Sequence, residues 1–346
     1  SHSGGMDSNC RLMLLASVLQ VYSVQSSNPQ KQIIATESTN FKKVVKSFFF
    51  VDKSMLIRDL FDANQEFQEI LAGPHFGKST NLDMIRRFLN INVDKEGSPL
   101  DIKKTSNYKL FETHGLTLFY NDKYFFNRNF GKYPVLHIDY KPFEVVSSFD
   151  HMLRKYKQIF SSTYSQHKYI LKANTSFNNR EFNKTLFETY LGFYNFYDLD
   201  KKGVKNGLIY LASLLFHHFN KSVIVLIDDF DMINISPVNA KDRSKVLEFV
   251  RSVNNVLLEH PQFVGRAVVT GSVWRGRTPW PSRVRVVPDS IGQYYGLSSD
   301  ELKPLLHKFV NNRTAVEEAA DCIVATYSGH LHDEEWYVDR SVPSTR

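Results

Sequence analysis

Eight consecutive residues, Gly73-Pro74-His75-Phe76-Gly77-Lys78-Ser79-Thr80, bring together two glycines, a lysine and two hydroxyls. This combination suits phosphate binding. Glycine lets the backbone approach an anion, and the N–H groups opening a helix face it. Lys78 would reach the β- and γ-phosphates, the Ser79 hydroxyl would hold Mg²⁺, and Thr80 would continue the first turn. The usual G-x4-G-K-[ST] spacing puts the first glycine at position 72, which is Ala72; Gly73 stands one residue closer. Taken alone, the run also fits an ordinary glycine-rich turn.

A second group of residues supplies acids. The apolar run Val223-Ile224-Val225-Leu226-Ile227 ends in Asp228-Asp229-Phe230-Asp231. At the tip of a buried parallel strand, Asp228 would hold the Mg²⁺ shell and Asp229 would orient and deprotonate an attacking water. A third segment, Ala267–Thr270, runs into Thr270-Gly271-Ser272, where Thr270 or Ser272 would sense the γ-phosphate. The plainer alternatives are a solvated acidic loop and an ordinary strand end.

Arginines then crowd the chain. Arg266, Arg275, Arg277, Arg283 and Arg285 occur with Trp274 and Trp280 and without an acid between Arg266 and Arg285. Arg275, Arg277, Arg283 and Arg285 would form a nucleic-acid or anion surface beside the triphosphate, or supply an arginine finger in trans; a solvated loop is the alternative. Pro288-Asp289 with Glu301-Leu302-Lys303 matches a PD…ExK nuclease signature on paper. Ser298 and Glu301, however, have the spacing of a capping box opening a helix, which argues against it.

Positioning these groups requires strands and helices in alternation. Strand-like runs cover 67–72, 134–140, 222–227 and 267–270. Helical periodicity covers 78–90, 147–161, 203–220, 241–258, 299–310 and 314–325. Leu208, Leu211, Leu215 and Phe219 share one helical face, as do Val246, Phe249, Val250 and Val253. The run 222–227 is apolar throughout, as in a parallel strand buried on both faces. The Asn-, Tyr- and Phe-rich stretch 163–202 reads as an insertion. The pattern as a whole predicts a three-layer α/β domain with a mostly parallel sheet.

Composition narrows the class further. The 346 residues carry 42% apolar and 23% charged side chains, which excludes a disordered, collagen-like or coiled-coil chain. The 27 Phe and 17 Tyr predict an aromatic core. Two cysteines exclude a disulfide scaffold and a multi-cysteine zinc site. The net charge of +7 permits an anionic partner without naming one. Residues 1–5 precede Met6 and read as a scar or upstream extension. Residues 6–26 read as a signal peptide: Arg11, an apolar stretch from Leu12 to Leu19, and small or medium residues at Val24 and Ser26. The alternative is a buried or amphipathic N-terminal helix and a cytoplasmic protein. Secretion would give meaning to the glycosylation sequons at Asn174, Asn183, Asn220, Asn234 and Asn312. Residues 27–47 read as a linker, and no apolar stretch is long enough for a membrane span.

Phe50-Val51-Asp52-Lys53-Ser54, the Phe76-Gly77-Lys78-Ser79 turn, Leu226–Asp231 and Val268–Ser272 follow one another in the order seen in the AAA-ATPase-like family, often joined to a PD-(D/E)XK nuclease domain. The chain resembles that family over about residues 48–330, with Tyr295–Glu301 and Tyr327–His330 as fainter matches. The arginine-rich run before the family's loop is Gly73-Pro74-His75 here, and its Asp-Glu-Tyr-Asp is Asp228-Asp229-Phe230-Asp231. The resemblance implies a P-loop NTPase-like domain over 48–298, a small helical C-terminal lid over 299–330 and a tail from 331. It also implies ATP with Mg²⁺ as ligands and hydrolysis by in-line water attack. Under it, Gly73, Gly77, Lys78, Ser79 and Thr80 would cradle the phosphates. Ser79 and Asp228 would hold the metal, and Asp229 and Thr270 would act on the water. A degenerate nucleotide fold acting as a non-catalytic effector or anion-binding module is the other reading.

Overall fold

The computed structural model describes residues 38–47, 50–63, 65–73, 75–173, 182–195, 199–272, 284–287, 289–308 and 312–328. The segment read as a leader, Asn174, and Arg275, Arg277 and Arg283 lie outside them. In chain order the elements that matter here are α1 (Met55–Asp62), β1 (Phe67–Leu71), α2 (Lys78–Leu89), α3 (Ser106–Thr113), α4 (Thr117–Asn121), α5 (Lys123–Asn129), β2 (Val135–Asp139), α6 (Phe149–Ser165), α7 (Lys184–Leu191), α8 (Lys201–Phe219), β3 (Val223–Asp228), α9 (Ala240–Leu258), β4 (Val264–Gly271), β5 (Arg285–Val286), α10 (Ser299–His307) and α11 (Arg313–Ser328). The chain forms two compact units. One holds Asp52–Gly292 with Thr39–Lys42; the other holds Lys43–Val51 and the chain from Gln293.

The larger unit is built on a five-stranded, all-parallel sheet in the order β2-β3-β4-β1-β5. This is an α/β, P-loop NTPase-like architecture. After β1 the chain crosses to β2 at the far edge, and after β4 it crosses in the other direction to β5. Connections that diverge in this way open a crevice at the carboxyl ends of β1 and β4, the usual ligand site of open parallel sheets.

Both faces of the sheet are covered, which is why β3 reads as a continuous apolar run. Val223, Val225 and Ile227 join Leu136, Ile138, Ala267 and Val269 in one core with α6, α8 and α9. The alternating residues Ile224, Leu226 and Val268 are equally buried but face away from that core, where α2 packs. The aromatic excess has a place as well. Phe88 of α2 meets Phe111 of α3, Phe126 of α5 and Phe130 just after it at ring-centroid distances of 5.3–5.6 Å.

Three local features differ from the pattern read in the sequence. Helix α6 runs on to Ser165, and residues inside the stretch read as an insertion (Tyr164, Ile170, Phe187, Tyr190) sit in the main core. The tyrosines hide this in a polarity scan, because each buried hydroxyl is satisfied by a carbonyl of α8: Tyr164 donates to Gly207 O and Tyr190 to Gly203 O, both at 2.6 Å. Short helices α3 to α5 follow α2 with too few turns to set up a clear period. Strand β5 has only two residues.

In the smaller unit, α10 and α11 pack on each other. Ser298 and Glu301 form the reciprocal capping box, which ties up the glutamate of the PD…ExK match at a helix start.

Candidate functional site

The loop after β1 turns directly into α2. Gly77 is the N-cap residue and adopts φ 80°, ψ 13°, a left-handed conformation open to glycine and strained for other residues. No side chain caps α2. Its first turn is therefore the kind of helix start that takes an anion. Asn81 N donates to Gly77 O at 2.8 Å and closes that turn. Gly73 is required for a different reason. A Cβ there would lie 2.7 Å from the Phe76 ring, which folds back over the loop. The loop is one residue short of the usual spacing, and His75 takes up the difference with φ 66°, a left-handed conformation costing roughly 1–2 kcal/mol.

Lys78 is buried, and its ammonium donates to Ala72 O at 3.1 Å and Gly73 O at 2.8 Å. The charge is thus held inside the loop at the end of β1. Thr80 lies half-buried on the first turn of α2.

The acids converge on the same edge. Asp228 ends β3 and is buried. Thr270 Oγ1, from the strand lying between β3 and β1, donates to Asp228 Oδ1 at 2.5 Å. The Ser79 side chain also acts on the Asp228 carboxylate, favouring its charged form. The carboxylate therefore stands between the loop before α2 and β4. Desolvation raises the pKa of Asp228, and the neighbouring Asp229 charge raises it further. The Ser79 and Thr270 side chains and the Asp229 N–H oppose this.

Asp229 leaves the strand with φ 52°, and its N–H donates to Asp228 Oδ1 at 3.1 Å. That turn lets Phe230 N reach Thr270 O at 3.2 Å. Ser272, the alternative sensor, points its backbone elsewhere: its N–H donates to the fully buried Asp231 Oδ2 at 2.7 Å. Gly271 makes room for this contact, since a Cβ there would lie 2.5 Å from the Phe230 ring.

Sequence reasoning passed over Asp139. It ends β2 in direct register with Asp228. Desolvation, together with the Asp228 and Asp229 charges, raises its pKa, while the Lys141 N–H opposes this. The signal was present: Pro134–Tyr140 is an apolar strand ending in an acid, as 222–228 is, but one acid drew no attention beside three. Asp231 was passed over because its burial depends on the turn at Asp229.

The structure thus brings Gly77, Lys78, Ser79, Asp228, Asp229 and Thr270 to one edge of the sheet. It does not bring Arg285 there. Arg285 pairs with Gln68 at the start of β1, a strand's length from the loop, so the expected place beside the triphosphate is corrected for this residue. Arg266, near the start of β4, lies at that same far edge.

A family described as Predicted AAA-ATPase matches residues 37–274, which include every strand but β5 and the whole site edge. The chain belongs to this AAA-ATPase-like family. No curated protein and no solved structure matches it. For an AAA-ATPase-like protein, the donor set suits a hard cation: a hydroxyl and carboxylates, all oxygen. No group of three His, Cys, Asp or Glu side chains able to hold a metal occurs among the described residues. A Mg²⁺ here would accordingly take few protein ligands and complete its shell with water and phosphate oxygens.

Proposed function

We propose that the protein binds ATP with Mg²⁺ at the carboxyl edge of β1, β3 and β4 and hydrolyses it by in-line attack of water. The observation that carries this reading is the convergence of Thr270, which donates to Asp228, and Ser79, which favours that carboxylate's charged form, beside a buried Lys78 at an uncapped helix start. Lys78 would leave the Ala72 and Gly73 carbonyls to meet the β- and γ-phosphates. The N–H groups of the first turn of α2 would hold the remaining phosphate oxygens. Ser79 and Asp228 would hold Mg²⁺, which when bound neutralises charge on the phosphates. Asp229 would take the proton of the water, with Asp139 keeping the pocket's negative potential high enough to favour that transfer. Thr270 would orient the water from its place next to Asp228. Export is part of the same proposal and rests on the leader-like residues 6–26.

Binding without turnover is favoured by one observation: Asp229 sits on a left-handed turn with its N–H committed to Asp228, and it is a methylene shorter than glutamate. Titration with a fluorescent ATP analogue, with and without Mg²⁺, tests the shared part of both readings. Saturable binding that tightens with Mg²⁺ is expected. Absence of binding to the folded protein would refute both.

A further inference from the structure

A concavity of about 530 Å³ opens at the amino-terminal edge of the sheet, at the opposite ends of the strands from the phosphate loop. Its floor is formed by Ser222, Ile224, Gly265 and Arg266, and its walls by Phe61 of α1 and Tyr124, Arg128 and Asn129 of α5. A second concavity of about 550 Å³ shares Phe61, Asp62 and Arg266 with it and extends to Arg285 on β5. The two concavities adjoin at these residues and are together called the groove; Glu66 also lines the second.

The charges in this groove are arranged unevenly. Arg58 bridges the two carboxylates of the first concavity, binding Asp62 at 3.3 Å and Asp122 at 3.1 Å, and offsets one of their two charges. Arg266 packs over Phe61, with Cζ 4.5 Å from the ring centroid, and is anchored through Nη1 to Leu60 O at 3.0 Å. Glu66 acts on Arg266 electrostatically, but neither it nor any other carboxylate closes an ion pair with Arg266 among the described residues. Arg128 makes one weak contact, to Tyr124 OH at 3.5 Å. Three guanidinium groups, Arg128, Arg266 and Arg285, thus line the groove without a carboxylate partner among the described residues. Beside them the Tyr124 ring is 77% exposed, its hydroxyl accepting from Arg128. One half-buried guanidinium group, Arg266, and two exposed ones, Arg128 and Arg285, beside the exposed Tyr124 ring suit a ligand that carries both anions and planar rings.

We propose that this groove binds single-stranded nucleic acid, its phosphates on Arg128, Arg266 and Arg285 and a base stacked on Tyr124. An acidic peptide offers the charge but not the rings. A duplex offers phosphates but keeps its bases stacked away from Tyr124. Because the groove and the phosphate loop occupy opposite edges of one sheet, both ligands can be held at once.

The test is fluorescence anisotropy of a labelled oligothymidylate of about 15 nucleotides with the full chain over a salt series. Binding that weakens with salt is expected, with duplex of the same length and polyglutamate competing poorly. The double variant Arg128→Glu, Arg285→Glu changes two surface groups and is expected to weaken binding by about tenfold or more with a shallower salt slope. Tyr124→Ala is expected to weaken it about tenfold at every salt concentration with the slope unchanged. Lys78→Ala, in the other site, is expected to leave it unchanged. Absence of binding at low salt would overturn the proposal. So would equal competition by duplex or polyglutamate, or full affinity in the folded double variant.

Discussion

Thr270 Oγ1 lies 2.5 Å from Asp228 Oδ1, so the middle strand of the site donates a hydrogen bond to the acid that ends the next strand. The Ser79 side chain favours the charged form of the same carboxylate. One buried charge therefore ties together three elements remote in sequence: the phosphate loop, β3 and β4.

Replacing Thr270 by Val removes that donor while keeping the shape. A hydrogen bond to a buried charged group contributes about 1.5–3 kcal/mol, so Thr270→Val should destabilise the fold by roughly that amount in urea melts. Phosphate release should fall further than nucleotide affinity, because the loop and Lys78 are intact. Turnover at the wild-type rate would remove Thr270 from the chemistry.

The Asp52-Lys53-Ser54 segment belongs to the resemblance but not to the site. Asp52 Oδ2 accepts from Thr117 N at 2.5 Å, and Ser54 Oγ accepts from Leu118 N at 3.0 Å. Both oxygens cap the amino end of α4 from across the fold, a role that local sequence cannot reveal because the cap and the helix are over sixty residues apart. Asp52→Ala should cost about 1–2 kcal/mol in a denaturation curve and leave affinity for an ATP analogue unchanged. Loss of affinity in the folded variant would place this segment at the site after all.

Much of the architecture was legible because its physics is local. A both-faces-buried strand leaves an apolar run such as 222–227, and an amphipathic helix such as α8 leaves a stripe. The loop and the acids were legible for the same reason, each lying at the end of its strand. What the sequence hid depends on tertiary pairing. Asp139 matters because β2 and β3 lie in register. Arg285 is remote because β5 pairs with the start of β1. Tyr164 and Tyr190 are core residues because distant carbonyls accept their hydroxyls.

Acid should unfold the protein through two histidines. Burial lowers the pKa of His137 from 6.5 to about 4 and that of His167 to about 3, and the nearby Arg86 charge adds to both shifts. In the unfolded chain each protonates near its ordinary value, so the unfolded state binds more protons between the two values. Stability should be full above pH 6.5 and fall as pH drops towards 4, by roughly 1.5–2 kcal/mol per histidine between pH 7 and 5. Urea midpoints across that range check this. His167→Asn should flatten the slope, and an unchanged slope would contradict the assignment.

The central claim is that the loop at Gly77–Ser79 binds and turns over a nucleoside triphosphate. The most direct measurement is Mg²⁺-dependent phosphate release from ATP by the wild type and by Lys78→Ala, both shown to be folded. The account predicts slow but real turnover in the wild type and a loss of about a hundredfold or more in the variant, as expected when a preorganised charge on the transferred phosphate is removed. Phosphate release that survives Lys78→Ala would contradict it.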